Sequence, residues 1–445
     1  MRPGGDPAMQ FRSSVALAAL ALLLAACGGS DTGAEKMALR DDGWVGVWAA
    51  APYGPYPAGP LSSALPIDPL GFTTYFPDNQ ASDQSFRMVV HPTRGGSTLR
   101  IRLSNLMGTQ PVHFEPVRIA RRAAGPALVP GTDTAVPFGG ADGVTIAPGA
   151  EAISDAVALS FADGDDLAIS FRVVGNSGPM TWHAVSFGLN YVSLPGGGDV
   201  TLDPTGAQFT QVSVGWFFVS GVDVLAPESD GAIVTLGDSI TDGAYEVPET
   251  NTRWPDFLAQ RLDTAGVDMA VLNQGINSNT VTEAAVFDGE VFKGPAAEAR
   301  FDRDVLGRSG VRAIVIFEGT NDLTSGINGD AVYAGLRRLA DRAQAAGLCV
   351  VMGTLMPRDD LIFGWDRATM EAERQTVNAR IRADANLEGL ADFDAVMSNP
   401  IDPTRPNPLY YSPDLLHPTS IGFQVMANAV PLEALVPPPL GRCPR

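Results

Sequence analysis

The chain has 445 residues, of which 45% are hydrophobic and 18% charged. That is enough for two or three domains with a large core, and it is the wrong composition for a disordered protein. Acidic residues outnumber basic ones 50 to 30, for a net charge of −20, which argues against a nucleic-acid binder and against electrostatic docking on anionic lipid, since both need a basic surface.

Arg2 and Arg12 precede an apolar run from Val15 to Ala26. The run is short of the roughly 20 residues that span a bilayer and fits the apolar region of a signal peptide. It ends in Leu24-Ala25-Ala26-Cys27, followed by Gly28-Gly29-Ser30. This resembles the lipobox of bacterial lipoproteins, in which Cys27 would be lipidated. The expectation is a lipoprotein signal peptide over 1–26 and a flexible tether over 27–42. The protein would then be exported and lipid-anchored in the bacterial cell envelope; a plain secretory signal is the alternative. Two more cysteines follow, Cys349 and Cys443. An oxidising compartment permits a bridge between them, but spacing alone leaves open a buried strand thiol and a loose tail cysteine.

From Gly43 to about residue 227 the texture is strands and turns. Ser85–His91 and Ser97–Asn105 largely alternate apolar and polar residues around Pro92-Thr93-Arg94-Gly95-Gly96, which reads as a hairpin. Further strands are expected at Val112–Ala120, Val144–Ala147, Leu167–Val174 and Val214–Val224. Short strands at this spacing predict an all-β sandwich or jelly-roll-like domain over 43–227.

From 228 to 445 strand and helix patterns alternate. Strands are expected at Ala232–Leu236, Val267–Leu272, Val311–Phe317, Leu348–Leu355 and Leu390–Phe393. Helices are expected at Trp254–Leu262, from an Asp330 cap to Ala346, at Ala368–Arg382, and from Ser420 to a stop before Pro431. Five strands with helical crossovers imply an α/β doubly wound parallel sheet, whose ligands sit beyond the C-terminal strand ends.

The chemistry-bearing residues fall at those strand ends. The first strand runs into Gly237-Asp238-Ser239-Ile240, the second into Asn273-Gln274-Gly275-Ile276-Asn277, and the third into Glu318-Gly319-Thr320-Asn321-Asp322. Asp414-Leu415-Leu416-His417-Pro418 stands near the C-terminus. A serine hydroxyl is a weak nucleophile until a base accepts its proton, and imidazole titrates near neutrality. Asn321 offers uncharged donors to a transient oxyanion. Taken singly, Ser239 reads equally well as a helix cap, Asn321 as a turn residue and His417 as a surface histidine.

Together and in this order, the four blocks resemble the GDSL, or SGNH, hydrolase family. The resemblance covers about Gly231 to Leu435 and implies a flavodoxin-like three-layer αβα domain with a five-stranded parallel sheet. It implies a serine esterase that cleaves carboxylic (acyl) esters through an acyl-enzyme. Ser239 would be the nucleophile, His417 the base and Asp414 its orienting partner. The backbone N–H groups of Ser239 and Gly275 and the Asn321 amide would form the oxyanion hole. No metal and no organic cofactor are expected; His91, His113 and His183 show no metal-ligand spacing and read as structural. The partner would be a small-molecule, lipid or carbohydrate ester, with membrane contact only through the N-terminal anchor. An acetyl esterase acting on O-acetylated carbohydrate and a non-catalytic surface binding lipoprotein are the competing functions. Leu361, Ile362, Phe363 and Trp365, with Leu409-Tyr410-Tyr411, are expected either to wall the pocket or to pack on the β-rich region.

Overall fold

The computed structural model describes residues 42–59, 75–283, 294–359 and 365–443. The apolar run Val15–Ala26, Cys27, the tether up to residue 41, and Leu361, Ile362 and Phe363 lie outside the described residues.

Between Trp44 and Leu225 the described regular structure is almost all β. One antiparallel sheet runs in the order Trp44–Ala49, Val219–Leu225, Gly96–Ser104, Val157–Phe161, with Glu151–Ile153 also on the Gly96 strand. A larger sheet runs Gln211–Ser213, Asn190–Val192, Gln80–Val90, Leu167–Pro179, Val112–Ala124, Ala127–Leu128. Alternation does the sorting: Leu99, Ile101 and Leu103 face the core, while Arg100 on the other face pairs with Asp223 at 2.9 Å. Rings from several strands close the core, with Phe86 stacked on Phe171 at 5.3 Å and Phe218 edge-on to Phe114 at 5.1 Å.

The expected hairpin around Pro92–Gly96 does not form. Gln80–Val90 pairs with Leu167–Pro179 and Asn190–Val192, whereas Gly96–Ser104 lies in the other sheet. The reason is burial on both faces. Phe86, Met88 and Val90 enter the aromatic core, while Ser85, Arg87 and Val89 are also covered. Such a strand needs neighbours on both edges, and local alternation does not say which.

The second half builds a parallel sheet in the order Met269–Gly275, Gly231–Gly237, Val311–Phe317, Cys349–Gly353, Gly389–Ala391. Its central strands are apolar runs buried on both faces, as a parallel sheet requires. The helices Trp254–Thr264 and Ser420–Ala429 pack on each other, as do Gly329–Ala345 and Arg367–Ala383. The cap of the Gly329 helix is Asn328, whose side chain accepts from the Ala331 N–H; Asp330, the expected cap, lies in the first turn and pairs with Arg380. Cys349 and Cys443 are joined by a disulfide with Cα atoms 5.8 Å apart, so the tail is tied to the fourth strand.

The halves share one hydrophobic cluster. Strand Trp44–Ala49 packs along Met269–Gly275, and the Gly46 N–H donates to the Ser309 carbonyl at 2.9 Å. On the outer edge of the Met269 strand, Thr93 Oγ1 accepts from the Val271 N–H at 2.9 Å and lies 3.2 Å from the Val271 carbonyl. At Val271 the β-rich half thus satisfies backbone groups that an open strand edge would expose.

Candidate active site

Strand Gly231–Gly237 ends where a Cβ on Gly237 would lie 2.4 Å from the Phe317 carbonyl, so only glycine brings the chain this close to its neighbour. Asp238 then caps a short helix, Ser239–Asp242, accepting from the Ile240 N–H at 2.9 Å through its side chain. Its main-chain carbonyl takes the Thr241 and Asp242 N–H groups. Ser239 therefore stands in the first turn, not at the cap, and among the described residues nothing accepts its N–H. Burial raises the Asp238 carboxyl to about 6, despite the Ile240 N–H and the nearby His417 and Arg358.

Ser239 Oγ lies 2.8 Å from His417 Nε2, and His417 Nδ1 lies 2.6 Å from Asp414 Oδ2. The other Asp414 oxygen accepts the Leu416 and His417 N–H groups, each at 3.1 Å. Leu415 adopts a left-handed conformation (φ 56°) that turns this short loop back on itself. Burial pushes the Asp414 carboxyl up, but its bonds to His417 outweigh this and the net shift is downward. Tyr245 stacks on the His417 ring at 5.2 Å and 23°, with 47% of its surface exposed. It too is left-handed (φ 71°), an uncommon conformation for an aromatic residue. Its loop is held by Glu249, which accepts from the Leu189 N–H at 2.7 Å and pairs with Arg122 at 2.5 Å.

The turn after the second strand departs from expectation. The Gly275 N–H donates to Asn273 Oδ1 at 2.9 Å and is not free to act as an oxyanion donor. Glycine is needed there for another reason: a Cβ would lie 2.2 Å from the Asp242 nitrogen. Down the turn, the Ile276 N–H goes to the Gly237 carbonyl, the Asn277 N–H to Asp242 Oδ2 and the Asn279 N–H to the Ile276 carbonyl. Ser278 is left-handed at φ 60°, and among the described residues nothing accepts its N–H. Asn321 sits beside this turn, donating one amide hydrogen to the Asn279 carbonyl at 2.8 Å. Asp322 braces the next segment by accepting the Val281 N–H at 2.8 Å and the Thr282 N–H at 3.2 Å. Burial raises its carboxyl to about 6.

Beneath these elements Arg300, fully buried, donates to the Gly237 and Gln274 carbonyls and to Asn279 Oδ1, and pairs with Asp304 at 3.2 Å. It ties both strand ends to the turn. In sequence Arg300 is only a cation in an amphipathic crossover, and nothing local marks its role. Burial likewise pushes the Glu318 carboxyl well up, with Asp238 adding to the effect. Of the apolar loop residues, Tyr411 is buried and donates from its hydroxyl to the Pro357 carbonyl at 2.7 Å. Trp365 is buried with Arg358 over its ring, and Leu409 is exposed. Among the described residues no group of three or more His, Cys, Asp or Glu side chains could hold a metal ion.

Residues 235–425 match the model of the GDSL-like lipase/acylhydrolase family. This segment is a GDSL-like lipase/acylhydrolase domain. It is accordingly an ester-hydrolase domain, and its matched span runs from inside the Gly231 strand to the Ser420 helix, enclosing Ser239, Asn321, Asp414 and His417. No curated protein matches the chain. Among solved structures, a GDSL-like lipase from Bacteroides thetaiotaomicron is 22% identical, covering 45% of this chain and 85% of that one at a TM-score of 0.34. An acetylxylan esterase from Geobacillus stearothermophilus is 20% identical over 45% and 92% at 0.34. A carbohydrate acetylesterase family member from Sinorhizobium meliloti is 18% identical over 44% and 94% at 0.35.

Proposed function

We propose that the GDSL domain hydrolyses carboxylic esters through a covalent acyl-serine, with Ser239, His417 and Asp414 as its catalytic triad. The unbroken chain from Ser239 Oγ through His417 to Asp414, at 2.8 and 2.6 Å, carries this reading. Asp414 accepts from Nδ1, which leaves Nε2 as the base facing Oγ. As Oγ attacks the ester carbonyl, its proton passes to Nε2, and Asp414 stabilises the imidazolium. The negative charge on the carbonyl oxygen is received by the Ser239 N–H, the Ser278 N–H and the second amide hydrogen of Asn321. Ser278 replaces Gly275 in this role because the Gly275 N–H is already engaged. Collapse of the tetrahedral intermediate expels the alcohol, which takes the proton from Nε2. Water then repeats the sequence on the acyl-serine and releases the acid.

The wider reading is a flavodoxin-like three-layer hydrolase domain after a β-sandwich, exported and anchored through Cys27. The Cys349–Cys443 disulfide supports export, because such bonds persist in oxidising compartments.

Ser239→Ala is expected to fold normally and to lower turnover of a p-nitrophenyl ester by at least about 10⁴-fold. A fluorophosphonate probe should label the wild type at Ser239. Labelling at a different serine, or residual turnover near wild type, would remove Ser239 from the mechanism.

A further inference from the structure

His183 belongs to strand Thr181–His183 in the β-rich half, yet it reaches the turn beside the nucleophile. It is buried, with Nδ1 2.8 Å from the Ala51 carbonyl and Nε2 3.0 Å from Asp242 Oδ1. The Ala51 carbonyl can only accept, so Nδ1 carries a hydrogen. Against burial, the Asp242 charge and hydrogen bond raise the His183 pKa, so Nε2 carries the second hydrogen and His183–Asp242 is a buried ion pair. The second Asp242 oxygen accepts both the side-chain amide of Asn277, at 2.8 Å, and its main-chain N–H, at 3.2 Å. Asn277 immediately precedes Ser278. One carboxylate thus links a histidine of the β-rich half, the last residue of the nucleophile helix and the turn bearing the unengaged N–H.

We propose that His183 is a positioning residue for ester hydrolysis: through Asp242 and Asn277 it holds the turn that presents the Ser278 N–H to the reacting carbonyl. The proposal rests on the esterase reading above, and it makes the β-rich half part of the catalytic apparatus. A donor displaced by about 1 Å can cost about 100-fold in rate, so a fixed turn matters as much as the donor it carries. Without His183, the buried Asp242 carboxylate loses one donor and no longer holds Asn277 in a single position.

The arrangement also carries a pH signature. Burial pulls the His183 pKa down, but the Asp242 charge and hydrogen bond and the Ala51 carbonyl outweigh it, and the net shift is upward. The other ionisable or charged groups around it are Arg253, which opposes the shift, with Asp256 and His91 lining the same small cavity. Tyr53 lies close enough to Asp242 to feel its charge. A raised pKa keeps His183 cationic to higher pH than a free imidazole. Once it is lost, Nε2 turns a lone pair toward a carboxylate. The contribution to turnover is therefore full on the acid side and lost as pH rises through the shifted pKa.

The test compares wild type, His183→Ala and His183→Gln on p-nitrophenyl acetate, with kcat, KM and thermal midpoint measured across pH. His183→Ala should lower kcat by about 10- to 100-fold with KM changed less than about threefold. His183→Gln places a donor that does not titrate near Asp242; it should recover part of kcat and lose the alkaline decline of the wild type. If His183→Ala keeps wild-type kcat, or His183→Gln keeps the alkaline decline, His183 is a brace between the halves and the proposal is wrong. If His183→Ala does not fold, the pH profile of His183→Gln decides alone. Fluorophosphonate labelling at Ser239 separates the two levels: its absence from the wild type defeats the esterase reading, whereas labelling with unaltered His183 variants defeats only this inference.

Discussion

The two halves of this molecule relate sequence order to spatial order in opposite ways. In the parallel sheet, Gly231–Gly237 has the second and third strands of this half on either side, and the fourth and fifth follow outward. In the β-rich half, Gln80–Val90 and Gly96–Ser104 are neighbours in sequence but lie in different sheets, and the partner of Trp44–Ala49 is Val219–Leu225, far along the chain. Helical crossovers return the chain beside its starting strand, so pairing in the parallel sheet is largely set by nearby sequence. Antiparallel sheets such as these close through distant partners, chosen by which faces must be covered.

The sharpest way to break this comparison is to separate the halves. A chain beginning at residue 228 should fail to give a soluble, active domain. It would uncover the Met269 strand, whose Val271 backbone groups meet Thr93 and which packs against Trp44–Ala49. Soluble expression, circular dichroism and p-nitrophenyl ester turnover would report this; a folded fragment with wild-type kcat would show that the β-rich half is separable after all.

Asn321→Ala probes the α/β half alone. Removing one neutral donor aimed at developing charge should lower kcat by about 100- to 1,000-fold, or roughly 2.7–4 kcal/mol, with KM nearly unchanged. Near-full kcat in a folded variant would leave Asn321 as a brace for the Asn279 carbonyl. Gly275→Ala comes next and separates donor from packing. The variant keeps its backbone N–H, so a simple donor role would leave activity intact. The structure instead predicts that the new Cβ pushes on the Asp242 backbone and lowers kcat by about 100-fold, with a lower thermal midpoint. The smallest effect on chemistry is expected from Cys443→Ser. It should cost about 2–4 kcal/mol of stability in denaturant unfolding and leave kcat within about twofold, because the bond ties the tail to the start of the fourth strand, at the opposite end of the sheet from Ser239.

Much of the candidate site was legible because the polar residues that form it come as compact local blocks in the sequence. Ser239, Asn321, Asp414 and His417 each follow or sit within a short run whose spacing is interpretable. The donor turn was not legible in the same way. Asn273-Gln274-Gly275-Ile276-Asn277-Ser278 contains one glycine, and the glycine drew the donor role. In the structure Gly275 is there to pass the helix Ser239–Asp242, and among the described residues it is the Ser278 N–H that nothing accepts. The partners of Arg300 and His183 were not legible for a related reason, since each bonds to elements far apart in the chain.

By itself the sequence determined a β-rich half followed by alternating strands and helices, and the residue types able to activate a serine. Hydrophobic period and local motif spacing are properties of short segments, and short segments were enough. The tertiary structure alone decided that adjacent β-strands part into two sheets, that Cys349 meets Cys443, that Gly275 packs against the Asp242 backbone with its N–H on Asn273, and that a histidine from the first half meets Asp242 in the second. Each of those depends on which distant groups become neighbours once apolar faces are buried and every buried polar group must find a partner.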